Sequence, residues 1–177
     1  MANGIEDYAA IGNCETLALV GRDGSIDWLG FPRFDSAACF SALLGESEQG
    51  RWLIAPASDS TKISRRYRGD TLILETIFET EASSVCIIDF MSRREGVSDL
   101  VRIVKGIRGT IAMRTELVVR FEYGSVVPWV SRQDDSRLEL TAGPDRLILE
   151  TRIPLRGPIS EQSQSSMSWP GTKWHLH

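Results

Sequence analysis

Between Gly24 and Gly45 the chain reads GSIDWLGFPRFDSAACFSALLG, and five of its residues are of types that could do chemistry on a polyhydroxylated ligand. Asp27 and Asp35 are carboxylates, Arg33 is a rigid guanidinium fork, and Trp28 and Phe34 are flat apolar rings. Two carboxylates flanking a glycosidic bond can act as acid and base, and an inverting pair stands ~6.5–9.5 Å apart to admit a water. Aromatic faces can stack on sugar rings. The same residues also fit a role without any ligand. Trp28 would then pack in a core beside Ile26, Asp27 would face solvent from the opposite side of its strand, and Asp35 with Ser36 would cap a helix beginning at 37. Nothing in the sequence marks either carboxylate as an acid of raised pKa.

Other stretches carry weaker signals. SRRYR at 64–68 could grip a phosphate or carboxylate, but nearby Asp and Glu make a solvated strand face the simpler expectation. Trp129, beside Pro128, is expected to plug the core at a strand exit, with a sugar-stacking or interface role as the alternative. Trp28, Trp52 and Trp129 together would be the stacking platforms of a small carbohydrate-binding module. Cys14, Cys39 and Cys86 form no CxxC pair and are expected to be reduced, buried, hydrophobe-like thiols. The two histidines lie among the last three residues, so a His-based metal site or Ser-His-Asp triad has no material in the body of the chain. GxGxxG, GxxxxGK[ST] and HExxH are all missing, and neither a cofactor nor a metal is expected.

The elements that must position these residues are mostly strands. IAMRTELVVRF, residues 111–121, places Ile111, Met113, Leu117, Val119 and Phe121 on one face and Arg114, Glu116 and Arg120 on the other. TLILETIFET and SVCIIDFM predict a hairpin over 71–91, and LVRIVKGI a further strand. LELT and RLILETRI flank the turn Ala142-Gly143-Pro144-Asp145. TLALV and SIDWLGF flank GRDG, where Asp23-Gly24 can supply a tight turn. One short helix is expected near 37–44, capped by Ser36 and stopped by Gly45. The fold class is all-β: a two-sheet antiparallel sandwich. From Gly157 the chain turns polar and aperiodic, which predicts a sandwich domain over 1–156 and a disordered or aberrant tail over 157–177.

With 177 residues and 42% hydrophobic content, the chain is long enough for one domain burying roughly 70% of its unfolded surface. A net charge of −4 and the lack of any basic run argue against a nucleic-acid partner. No apolar run approaches the ~18 residues of a membrane span, and the N-terminus lacks the features of a secretory signal, so a cytoplasmic location is expected.

IEDYAAIGNCETLALVGRDGSIDWLGFPRFDSAACFSALLG, residues 5–45, resembles the opening of bacterial glycoside hydrolase family 15 proteins, the glucoamylase-like and trehalase-like members. The pattern is carried by Ile5, Asp7, Tyr8, Ile11 and Gly12, by Gly21 to Trp28, and by Pro32 to Ser36. RRYRGDTLILETIF, IIDFM, LVRIVKG, RFEYG and GPDRLIL extend it across residues 5–153. The resemblance implies a large N-terminal β-sandwich followed by an (α/α)6 barrel that holds two catalytic glutamates and hydrolyses α-glucosidic bonds with inversion. No position here matches the catalytic motifs, so no catalytic residue carries over. It further implies that the loop of Arg33, Phe34 and Asp35, with Asp27 and Trp28, faces substrate or the barrel, Arg33 and Asp35 bonding substrate hydroxyls or a barrel loop and Trp28 and Phe34 filling core or interface space. The sandwich would be incomplete without its last strands, and the chain a truncated, frameshifted or fragmentary product. Its partner would be the missing barrel or a second copy, with α-glucosides as ligands. Alternatives are a homo-oligomerising or partner-docking sandwich and a small carbohydrate-binding module.

Overall fold

Period-2 alternation of apolar residues gives strands whose inner faces meet. The computed structural model describes residues 4–58, 62–94, 97–152, 165–167 and 172–176. Its strands are β1 (Ala9–Gly12), β2 (Leu17–Val20), β3 (Ser25–Gly30), β4 (Ala38–Phe40), β5 (Arg51–Pro56), β6 (Lys62–Tyr67), β7 (Leu74–Glu79), β8 (Ser84–Arg94), β9 (Val97–Arg108), β10 (Met113–Val118), β11 (Trp129–Asp134), β12 (Arg137–Ala142), β13 (Asp145–Thr151), β14 (Ser165–Met167) and β15 (Thr172–Leu176). One sheet has the order β1-β2-β3-β5-β10-β14, with β4 also on β3; the other runs β11-β12-β13-β15-β9-β8-β7-β6. All pairings are antiparallel. The all-β sandwich reading holds.

The core lies between the sheets. Ile11, Val20, Ile26, Leu29, Trp52 and Ile54 from the first meet Leu74, Phe78, Ile87, Leu100, Leu147 and Leu149 from the second. Burial of each such side chain contributes roughly 1.5–3 kcal/mol. Met113, Val119 and Phe121 belong to this core, and Ile111 and Leu117 pack on it, so the face read from 111–121 is the inner one. The hairpin of 71–91 is β7–β8, and the turn at 142–145 joins β12 to β13 with Gly143 at φ 61°.

Four expectations are corrected. The short helix near 37–44 is a strand, β4, followed by a 3-10 turn over Ala42–Leu44. The reason is burial on successive residues. Ala38, Cys39 and Phe40 are all buried, and β4 pairs with β3 through Leu29↔Phe40 and Gly30↔Ala38. Ladder bonds and full burial outweigh what a helix of about two turns could gain alone. Ser36 caps nothing; its hydroxyl accepts from the Arg33 amide at 3.2 Å. Second, a register shift in β3 opposite Leu19/Val20 changes the phase of the strand, so that Ile26 and Leu29 both reach the core. Asp27 is therefore buried and Trp28 is not a core residue. Third, Trp129 plugs nothing: it is 86% exposed. Fourth, Cys14 is exposed, whereas Cys39 and Cys86 are buried as expected. Of the tail over 157–177, the strands β14 and β15 are seen, pairing with β10 and with β9 and β13; its remaining residues lie outside the described ones.

Candidate functional site

The loop after β3 is held from beneath by polar bonds. Asn13 turns the β1–β2 connection by accepting, through its side-chain oxygen, from the amides of Glu15 and Thr16 at 3.0 Å each. The Thr16 hydroxyl donates to the Gly30 carbonyl at the end of β3. Ser98 at the start of β9 lies within hydrogen-bond reach of the Pro32 carbonyl at 3.2 Å, and the Asn13 amide donates to the Ser98 hydroxyl at 3.3 Å. The Phe34 amide donates to the Glu15 carbonyl at 2.9 Å, and the Phe31–Pro32 peptide is cis. Both sheets thus contribute to one end of the sandwich, where the loop is anchored by its backbone and by Phe31 against the core, leaving Arg33, Phe34 and Asp35 exposed.

Arg33 and Asp35 form a two-point pair there, Nε–Oδ1 at 3.0 Å and Nη2–Oδ2 at 3.2 Å. Both side chains are largely exposed, and such a pair is worth no more than about 1 kcal/mol to stability. Phe34, between them, is 62% exposed. A ring flanked by a guanidinium and a carboxylate can offer an apolar face, donors and acceptors to whatever covers this end.

Asp27 has a different setting. Its Oδ2 accepts from the Tyr8 hydroxyl at 2.7 Å and contacts the Ser25 hydroxyl at 2.9 Å. Ser25 has one proton and also lies 2.7 Å from Asp23 Oδ1. Asp27 Oδ1 is buried with no hydrogen-bond partner among the described residues. Trp28, next along the outer face, meets Tyr123 with ring centroids 6.2 Å apart and planes tilted by 37°. The structure gives the two carboxylates different partners: Asp27 is tied to Tyr8 and Ser25, Asp35 to Arg33. Arg33, Phe34 and Asp35 form one exposed group, and Asp27 and Trp28 belong to another.

Among the described residues no cluster of His, Cys, Asp or Glu is disposed to hold a metal, and no helix is long and apolar enough to cross a membrane. The SRRYR stretch is the β6 face expected. Arg66 and Arg68 reach Glu75 on β7 at 2.8 and 2.5 Å, and these bonds, Arg68 first, hold the Glu75 carboxyl below its ordinary range. Trp52 is fully buried and offers no stacking face.

Sequence reasoning missed Arg102, which is completely buried. Its Nε donates to Asp89 Oδ1 at 2.8 Å and its Nη2 to Oδ2 at 3.3 Å. Nη1 donates to the Trp52 carbonyl at 2.6 Å and Nη2 to the Gly24 carbonyl at 2.7 Å, while the guanidinium carbon stands 5.3 Å from the Trp52 ring centroid. One side chain from the second sheet thus binds two backbone positions of the first. A signal existed: within the alternation of LVRIV, Arg102 shares a face with Leu100 and Val104, and Asp89 lies directly opposite it.

No solved structure matches the chain. Trehalase 1 of Sulfolobus acidocaldarius is 35% identical over 132 residues, 75% of this chain and 22% of the relative. A trehalase of Mycolicibacterium smegmatis is 29% identical, covering 86% of this chain and 27% of its own. A trehalase of Thermoplasma volcanium is 27% identical, covering 98% and 30%. The chain therefore spans less than a third of the length of these relatives. A family model for trehalase-like N-terminal regions matches residues 1–152, most of the strands described above, and the chain belongs to that family.

Proposed function

We propose that this chain is the non-catalytic N-terminal sandwich of a glycoside hydrolase family 15-type α-glucosidase of the trehalase or glucoamylase kind, built to pack against an inverting (α/α)6 barrel. The family match over 1–152 carries this reading, because the matched relatives are trehalases that continue far beyond the region they share with it. The geometry supports it: the candidate carboxylates have separate partners, Asp27 in the outer face of a sheet and Asp35 in an exposed pair with Arg33. The Arg33-Phe34-Asp35 group faces the barrel or the sugar bound at its mouth. Its backbone is fixed by Glu15 and Ser98, so little ordering entropy remains to be lost on docking. The free state of all three thiols fits a reducing, cytoplasmic setting.

The purified chain incubated with trehalose, maltose and isomaltose is expected to release no glucose above a heat-treated control. Sustained turnover by the chain alone would overturn the proposal.

A further inference from the structure

The outer face of β11–β13 carries a side-chain arrangement that neither the family nor the loop accounts for. Cross-strand pairing places Trp129 opposite Thr141, Thr141 opposite Arg146, and Ser131 opposite Glu139. Leu138, Leu140, Leu147 and Leu149 face or pack against the core, so Trp129, Ser131, Glu139, Thr141 and Arg146 lie on the other face, where Ile148, opposite Glu139, is itself buried. Trp129 is almost wholly exposed, on β11 at the end of its sheet's strand order. Beside it runs a polar row whose members hold one another. The Gln133 amide donates to Ser131 Oγ at 3.4 Å and to Glu139 Oε2 at 3.2 Å, and Arg146 Nη1 donates to Glu139 Oε1 at 3.4 Å.

We propose that this face binds a pyranose sugar, with Trp129 as the stacking platform and Gln133, Glu139 and Arg146 as the groups that read its hydroxyls. A pyranose has an apolar C–H face and a rim of hydroxyls, each both donor and acceptor. The face offers the complement: one bare aromatic ring opposite Thr141 and, on the same side of the sheet, an amide, a carboxylate and a guanidinium. Exposed Val127 and Val130 flank Trp129 in the chain, which makes a protein contact the rival reading; the Gln133, Glu139 and Arg146 groups on the Trp129 face favour a sugar over it. A nucleic-acid surface would be basic, whereas Glu139 sits in the middle of this one. The proposal does not rest on the function assigned above. Turnover of trehalose would end that assignment and leave this one standing.

The test is calorimetric titration of the full chain with trehalose and, separately, with maltotriose, alongside tryptophan fluorescence. Heat of binding and a shifted indole emission are expected for at least one of the two sugars. Trp129→Ala should weaken binding about tenfold or more while leaving the melting temperature in place, because the side chain is exposed. Glu139→Gln should weaken it to a lesser degree. Leu72→Ala, an exposed residue between β6 and β7 at the opposite end of the same sheet, should leave affinity unchanged. No heat and no emission change with either sugar at high millimolar concentration would overturn the proposal. So would unchanged affinity in Trp129→Ala, or a dimer in light scattering that this substitution dissolves, which would identify a second copy as the occupant.

Discussion

Arg102 shows how a single side chain can determine whether the core is tolerable. A buried guanidinium is acceptable only with its charge and donors matched, and Asp89 with the carbonyls of Trp52 and Gly24 supplies the match. Arg102→Met should destabilise the protein by roughly 3–5 kcal/mol in urea titration, because Asp89 is left as an uncompensated buried charge. Arg102→Met combined with Asp89→Leu should recover part of that loss, and simple additivity of the two changes would count against a coupled pair. The thiols divide in the same way. Burial pushes Cys39 up to about 12 and Cys86 up to about 11. A thiol reagent under native, mildly alkaline conditions should therefore modify Cys14 alone, and all three only after denaturation. Glu75 adds a pH dependence with a definite sign. Its folded carboxyl is held below its ordinary value of 4.5 by Arg68 and Arg66, so its contribution is complete above that value and is lost as pH falls through the folded one. The two arginines are exposed, which keeps the effect small. Glu75→Gln should flatten this part of the acid limb of the stability profile; an unchanged limb would dissociate Glu75 from it.

At the scale of elements, the turn into β3 depends on a residue without a side chain. Gly24 sits at φ +87°, its amide closing the turn on the Gly21 carbonyl at 3.1 Å, and a Cβ there would lie 2.3 Å from the Ile54 carbonyl oxygen. Gly24→Ala should cost about 1–3 kcal/mol from the backbone conformation alone, and more because the same residue's carbonyl receives Arg102. A melting temperature unchanged by that substitution would contradict the geometry. Elements with a clean alternation were legible from sequence: 111–121, the β7–β8 hairpin and the β12–β13 turn all follow from period-2 apolar spacing and turn chemistry. Failures came where local pattern and tertiary setting disagree. AACFSALL has the small residues of a helix, yet its first residues are drawn into the core beside β3. The displaced phase of β3 is invisible in a single strand, because the register shift exists only in relation to β2. Of the site, the exposed Arg33-Phe34-Asp35 group could be picked out by residue type. The partners of Asp27 could not, because Tyr8 comes from 19 positions earlier.

At the scale of the whole molecule, the order of the strands determines how the protein comes apart. The chain builds β1 to β5 of one sheet, crosses to lay down β6 to β9 of the other, and returns to insert β10 beside β5 before crossing again. Both sheets share one core, and Arg102 ties them at their centre, so unfolding should be a single cooperative event. Far-ultraviolet circular dichroism and tryptophan fluorescence should give one midpoint, and two resolved midpoints would show that the sheets melt independently. The return of β10 has a further consequence. A nick in the turn at Gly109, between β9 and β10, would leave neither piece with a finished layer, since Arg51–Pro56 would lack the neighbour it has in Met113–Val118. The two pieces would be natural complements, each carrying the edge the other needs, and their rejoining in a test tube would turn this sandwich into a reporter of proximity between whatever proteins they were fused to.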